Sequence, residues 1–312
     1  MLTLIGRRLL SALFVLAGIS FLTFIVGYLA PGDPIQIIMG NRHDAVEHAR
    51  LMHDYHFDLP WYAQYARFVA SALHGDLGSS FAQPGTPVTT IIARGLPVSL
   101  EVGGLALLLI TVIGVPVGVL AALRRDSWFD PAAMGVMLVL YAIPSFVLVP
   151  TVLGIDIAFY THGLPWLPVQ GWGSPAQLVM PLIVYSAGGV AYIGRLTRAS
   201  VLEVLDRDYV RTAWAKGVRP RRVTVRHILR NALIPVVTYV GPSIAFLVTG
   251  SFVIEFFFNI PGIALQTVNS LFQRDYPVVQ GTTLLLAAAV LVMNLLTDIC
   301  YLLLDPRIQA ET

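Results

Sequence analysis

Only one cysteine and one lysine occur among 312 residues, and just 12% of the chain is charged. Each scarcity removes a class of chemistry. With Cys300 alone no intramolecular disulfide can form, so any segment outside the core must be held by packing and hydrogen bonds. The lone lysine, Lys216, precedes a glycine, whereas a phosphate loop places its lysine after one; ATP, if it is used, must bind on another subunit. Five of the seven histidines, His43, His48, His53, His56 and His74, fall within one segment, but only His53 and His56 share a helix-face spacing. Neither an HExxH pattern nor a Cys/His ligand set accompanies them, so a solvated polar face is expected and no metal site.

Apolar surface is what the chain has in excess. Hydrophobic residues make up 56% of it, more than a soluble domain of this length needs. Apolar runs near 9–30, 98–123, 132–157, 177–197, 233–254 and 279–304 each reach the roughly 20 residues that cross the hydrocarbon core as a helix. An all-α polytopic membrane protein with six transmembrane helices is expected. The first run is longer than the core of a secretory signal, and Tyr28-Leu29-Ala30 lacks a small residue at the −3 position, so it reads as a retained span.

The basic residues orient these spans. With a cytoplasmic N-terminus, 15 lie on the inner side and five, Arg42, Arg50, Arg67, Arg94 and Arg274, on the outer. That split obeys the positive-inside rule and predicts both termini in the cytoplasm. Three regions result: residues 1–30, the N-terminal tip and first span; 31–95, an external insert; and 96–312, a core containing a cytoplasmic loop at 199–232. Within the insert, Asp58-Leu59-Pro60 resembles a helix start, and Trp61, Tyr65, Phe68, Val69 and Leu73 follow at helical spacing as one apolar stripe. Docking against the membrane interface or a neighbouring span explains that stripe better than a partner-binding face.

The most informative segment runs from Asp208 to Pro235, DYVRTAWAKGVRPRRVTVRHILRNALIP. Asp208 is placed to cap a helix beginning at Tyr209, Gly217 to end it in the left-handed region, and Pro220 to open a second helix. An elbow of two short helices follows. From Arg195 to Arg230 the loop carries ten basic residues against Glu203, Asp206 and Asp208, a local net charge of +7. Topology and anionic headgroups account for much of that charge, though not for the capped elbow.

Glycine and proline interrupt the spans at Gly114-Val115-Pro116-Val117-Gly118, Pro144, Pro150, Pro181, Pro235 and Pro242, as suits helices that bend in a transport cycle. The ionisable residues Glu101, Asp156, Glu255 and Asp298 sit near span ends and are expected to face protein or water. A secondary transporter would place acidic residues at the midplane of paired discontinuous helices; an intramembrane enzyme would need a nucleophile and base, or metal ligands, at membrane depth. Neither pattern is present.

Several strings carry a resemblance over nearly the full length: APGDP at 30–34, FDLPWYAQY at 57–65, GDLGSS at 75–80, IGVPVGVLAA at 113–122, IPSF at 143–146, the elbow, RDYPVVQG at 274–281 and NLLTDICYLLLDPR at 294–307. Together they resemble the inner-membrane permeases of the dipeptide, oligopeptide and nickel branch of ABC importers, in particular the first-encoded of the two permeases. That resemblance implies a type I importer permease fold with an insert between helices 1 and 2, moving dipeptides or short oligopeptides by alternating access. Nickel complexes, haem or another small solute are the alternative cargo. The permease carries no catalytic residue of its own; ATP and Mg belong to two cytoplasmic ATPase subunits. A second homologous permease, an extracytoplasmic solute-binding protein, the peptide and membrane lipid complete the partners, and no nucleic acid is expected. The setting implied is a prokaryotic cytoplasmic membrane.

The elbow resembles the family's coupling segment, whose helix lies in a groove of the ATPase. Where the broader importer form has Glu-Ala-Ala six residues before the glycine, this chain has Arg211, Thr212 and Ala213, which matches the peptide branch's RTAxAKG. Asp208, Tyr209, Arg211, Ala213, Ala215, Lys216 and Gly217 are therefore the candidate coupling residues, with the small ones allowing close approach to a groove and Arg211 and Lys216 pairing with acids in it. Arg221, Arg222, Arg226, Arg230, Asn231 and Pro235 would brace the elbow, and Pro144, Ser145 and Glu255 are candidates for the path or its gate.

Overall fold

A computed structural model describes residues 2–40, 44–163, 168, 170–239, 243 and 251–304, with side chains between 6 and 297. Regular structure among these residues is helical, apart from an isolated bridge between Ser79 and Pro87. Two compact units emerge: Met1–Ser99 with Val248–Phe252 and Pro261–Thr312, and Leu100–Leu247 with Val253–Ile260.

In the first unit, α1 (Leu2–Leu29) packs along the last helix, Tyr276–Leu304. Three short helices follow α1. Asp33 caps α2 (Pro34–Met39) by accepting from the Ile35 N–H, and Asp44 caps α3 (Ala45–Asp54) by accepting from Val46 and Glu47. Helix α4 (Trp61–Leu73) docks on α1 through Tyr65, whose hydroxyl lies 2.9 Å from Ser20 Oγ and whose ring meets Phe21 and Phe24 edge-on or tilted. Leu73, at the end of the stripe, is not covered by the chain itself and is 81% exposed. The helix starts where Asp58-Leu59-Pro60 places it, with Pro60 at the N-cap position and no side-chain cap bond, while the Asp58 carboxylate accepts from His53 Nδ1 at 3.0 Å.

Segments far apart in sequence converge in this unit. The buried Asp275 carboxylate accepts from Ser80 Oγ, from the Phe81 N–H at 3.0 Å and from the Ala82 N–H at 3.3 Å, while Arg274 Nη1 donates to the Pro31 carbonyl at 3.2 Å. The APGDP, GDLGSS and RDYPVVQG strings therefore belong to one hydrogen-bonded knot. Beside it Val88, Ile91, Ile92, Ile263, Val278 and Leu286 form an apolar cluster.

Helix α5 (Val88–Leu123) contributes its later turns to the second unit, with α6 (Phe129–Ala142), α7 (Ser145–Thr161) and α8 (Pro175–Leu205). A Cβ added to Gly118 would strike the Gly194 carbonyl oxygen and come within 2.7 Å of Thr197 Cβ, so α5 and α8 touch backbone to backbone. Small residues spaced by four give membrane helices this approach, and van der Waals contact then replaces the hydrophobic effect as the packing force.

Among the described residues four helices are long and apolar enough to cross a membrane, Gly6–Leu29, Val88–Leu123, Pro175–Leu205 and Tyr276–Thr297, or five if the bent pair α6 and α7 counts as one span. The apolar run expected to span at 132–157 is long and apolar enough to do so only as a bent pair. It is two helices, α6 and α7, meeting at 101°, because Pro144 lacks an N–H and drives Ile143 out of the helical region to φ −85°, ψ 115°. The run at 233–254 lies in large part outside the described residues, as do Arg42, His43, Pro242, Arg307 and the side chains of Asp298 and Cys300. Glu101 is exposed, whereas Asp156 and Glu255 are each only 1% exposed.

Candidate functional site

The elbow is built outward from the end of α8. Asp206 closes that helix, Arg207 turns the chain with an extended backbone, and its guanidinium reaches back to Glu203 at 2.5 Å. Helix α9 (Asp208–Ala215) then buries one face: Val210 and Ala213 sit in a cluster with Ala122, Val201, Val223, Ile228 and Ala232. A helix this short is marginal alone, so this packing and not its propensity holds it in place.

Two sequence expectations meet different outcomes at its ends. Asp208 is not the cap. Arg207 occupies the N-cap position, and Asp208 is the first helical residue, where its charge favours the positive end of the helix dipole without capping an N–H. Gly217 does adopt the left-handed conformation, φ +71°; its N–H bonds to Trp214 O at 2.9 Å and that of Val218 to Ala213 O at 3.3 Å. This double closure satisfies carbonyls that the helix end would leave orphaned.

Pro220 opens α10 (Pro220–Arg222) as expected, after Arg219. Unexpectedly, Val223–Leu229 is a π-helix that continues into α11 (Arg230–Ala232). The wider turn puts Val223 and Ile228, five residues apart, into the same apolar cluster. It also brings Asn231 Nδ2 to donate to the Tyr209 hydroxyl at 2.9 Å, tying the two arms together. Beside this bond Glu203, Asp208, Tyr209, Asn231 and Pro235 line a groove of about 650 Å³. Arg221, Arg222, Arg226 and Arg230 are exposed and make no ion pair among the described residues.

The free face of α9 thus carries Tyr209, Arg211, Trp214 and Ala215, followed by Lys216 and Gly217. Ala213 points inward, so its small size serves the α8 and α5 packing. Trp214, 45% exposed, is a functional candidate that the sequence analysis does not name. Alternation of burial along one short helix would have revealed it: Val210 and Ala213 inside leave Trp214 outside.

Of the path candidates, Pro144 holds the N-cap position of α7, exposed Ser145 is its first residue, and Glu255 is buried in the short helix Phe252–Phe257. The sequence reading also missed a polar aromatic patch. Tyr192 stacks obliquely on Tyr239 with centroids 4.3 Å apart, Tyr141 lies 6.2 Å from Tyr192, and the Arg195 guanidinium sits 5.7 Å above the Tyr141 ring. Arg195 is exposed and has no acidic partner among the described residues. Among the described residues no group of three or more His, Cys, Asp or Glu side chains is placed to hold a metal ion.

Comparison with known proteins agrees across the chain. Residues 114–310 match the family described as the binding-protein-dependent transport system inner membrane component, and residues 1–102 match the N-terminal part of such membrane components. The dipeptide transport system permease protein DppB of Bacillus subtilis (strain 168) is 42% identical over 93% of this chain and 92% of its own. DppB of Escherichia coli (strain K12) is 37% identical over 99% of both chains, and the oligopeptide transport system permease protein OppB of Salmonella typhimurium is 37% identical over 99% of this chain and 100% of its own. A solved amino acid ABC transporter chain aligns with 70% of this chain and 94% of its own, at 19% identity and a TM-score of 0.49. The chain belongs to the inner membrane components of binding-protein-dependent transport systems.

Proposed function

We propose that this chain is one permease of an ATP-driven importer of dipeptides or short oligopeptides, and that α9 transmits the movement of a separate ATPase to the spans. A single observation carries the coupling role: α9 is pinned on one face by an apolar cluster and offers Tyr209, Arg211, Trp214 and Lys216 on the other. A rigid, half-buried lever with a large aromatic at the centre of its free face has the make-up of an interface anchor. Arg211 and Lys216 flank the anchor for acidic residues of the groove, while Ala215 lets that groove come close.

The substrate class rests on the printed names of the relatives. Partners follow the same logic: a second homologous permease, two ATPases that bind ATP and Mg, and a solute-binding protein that delivers the peptide. Both termini then lie in the cytoplasm and residues 31–95 on the outer side, in accord with the 15-to-5 split of basic residues. The path runs, in this reading, along the face of the second unit that bears Tyr141, Tyr192, Tyr239 and Arg195, whose guanidinium stands over the Tyr141 ring at the inner end of the span. Its cation suits a peptide carboxylate and its hydroxyls suit peptide amides. The right-angle break at Pro144 marks where a span can swing as access alternates.

Site-directed cross-linking tests the coupling role. On a Cys300→Ala background, Trp214→Cys should form a disulfide with single cysteines placed in the ATPase groove of the assembled transporter, and Val225→Cys should not. Absence of any cross-link from Trp214→Cys under turnover removes α9 as the lever. Orientation is checked in intact cells: Gln83→Cys should react with an impermeant maleimide while Val225→Cys stays protected, and the reverse pattern refutes the topology.

A further inference from the structure

The first unit holds a cavity of about 710 Å³ that the transport reading does not use. Phe24 and Tyr28, in the last two turns of α1, form its wall together with Tyr276 and Gln280, in the first two turns of the last helix. These are the ends of two spans, the depth at which lipid headgroups meet aromatic side chains. From the other side, α4 contributes Arg67, the last residue of α3 contributes Asp54, and the loop after α4 contributes Asp76.

Three polar features of this wall are underused. The Gln280 Nε2 is buried and has no acceptor among the described residues. Arg67 makes no ion pair among the described residues, although it lines a cavity rich in aromatic rings. Among the described residues Asp54 is paired only with Arg50, on its own helix, at 3.5 Å, and Asp76 uses one carboxylate oxygen, accepting the Gly78 N–H at 2.9 Å. A buried amide donor without an acceptor is costly, so a ligand that supplies one is favoured.

We propose that this cavity binds one phospholipid with an aminophosphate headgroup, of the phosphatidylethanolamine kind. Arg67 takes the phosphate, for which its planar fork of donors is suited. The headgroup ammonium lies toward Asp54 and Asp76. Gln280 stands one turn further along the last helix than Tyr276, about 6 Å deeper, where the glycerol ester carbonyl offers the missing acceptor. The aromatic rings cover the start of the acyl chains. An anionic headgroup without an amine would face two carboxylates with nothing to offer them. A short peptide shares the ammonium and the oxyanion, but not the ester at greater depth or the acyl chains that leave toward the membrane. The bound lipid links the 31–95 segment to the spans that carry it.

Native mass spectrometry of the full chain, purified from vesicles containing equal parts of phosphatidylethanolamine, phosphatidylcholine and phosphatidylglycerol, reads the occupant directly. One phosphatidylethanolamine should stay bound through detergent exchange, with a preference of roughly tenfold over the other two. Gln280→Leu, which keeps the volume and removes the donor, and Arg67→Ala should each abolish that preference, and Arg67→Lys should restore part of it. Retention of all three lipids alike, or the same preference in both variants, overturns the assignment. In the unmutated protein a photoreactive phosphatidylethanolamine should label residues of this cavity; label confined to the outer faces of the spans, or displacement of the lipid by a dipeptide, also overturns it.

Discussion

Arg198 on α8 grips Asp130 in the first turn of α6 with two parallel hydrogen bonds, Nε to Oδ1 at 2.5 Å and Nη2 to Oδ2 at 2.6 Å, across 68 residues of sequence. Asp130 is almost fully buried and Arg198 keeps under a third of its side chain exposed. The pair fixes α6 to the helix whose end carries α9. Removing one partner of a buried pair strands the other charge, which costs about 3–5 kcal/mol when burial is complete and less where water still reaches the survivor. Asp130→Ala should therefore lower the unfolding midpoint in detergent clearly, and the double variant Asp130→Leu with Arg198→Met should recover most of it. Equal midpoints for the wild type and the single variant refute the role.

The α5–α8 contact gives a sharper steric test. Gly118→Leu should block close packing and sharply reduce the amount of folded protein in the membrane, because the clash is with backbone and cannot be relieved by a rotamer change. Gly135→Ala, with nothing within 4 Å of the added carbon, is the control and should accumulate normally.

Coupling separates from folding at Trp214 and Gly217. Trp214→Ala leaves the inner face of α9 untouched, so thermal stability should change by under about 0.5 kcal/mol. ATPase stimulation by the loaded binding protein should nevertheless fall at least about tenfold, as expected when an anchor worth 2 kcal/mol or more is lost. Gly217→Val meets no neighbour, yet forces a β-branched residue to φ +71°, which should cost more than about 1 kcal/mol locally and misdirect the elbow. Wild-type stimulation in both variants contradicts the lever.

Asp275 predicts a change in protease sensitivity. Asp275→Ala leaves the Phe81 and Ala82 N–H groups and the Ser80 hydroxyl without their acceptor, at about 1–3 kcal/mol for each buried group left unsatisfied. The 76–87 segment should become the first site cut in vesicles, while the spans stay intact. An unchanged cleavage pattern contradicts the knot.

Acid should loosen the start of the insert only at low pH. Partial burial opposes ionisation of Asp33, but the hydrogen bond from His48 and those from the backbone N–H groups of Ile35 and Gln36 outweigh it, holding the carboxyl below the usual aspartate range. A group with a depressed pKa adds stability above its unfolded value and loses it as pH falls through the folded one. Hydrogen exchange at Ile35 should stay slow from neutral pH down through the ordinary aspartate range and quicken only below it. Quickening near pH 6 would assign the effect to histidine instead.

Apolar run length was enough to mark the spans that the structure forms as unbroken helices, because each hydrogen bond in a membrane helix is local and needs only enough apolar residues in a row. Gly217 and Pro220 were legible for the same reason: a left-handed turn and a helix start are decided by the residue's own backbone preferences. The 101° break was half legible, in that Pro144 announced an interruption but gave no angle.

What the sequence could not express was partnership. Asp208 has the chemistry of a cap, yet the residue before it took that position once α8 ended where its packing allowed. Ala213 and Trp214 are neighbours in sequence, and only the apolar cluster under α9 decides which one faces inward. The Asp130–Arg198 clamp and the Asp275 knot join residues whose separation no local pattern records. Local backbone energetics determined the elements and their ends, whereas close approach of remote side chains determined which faces they bury and therefore what α9 leaves free to touch a partner.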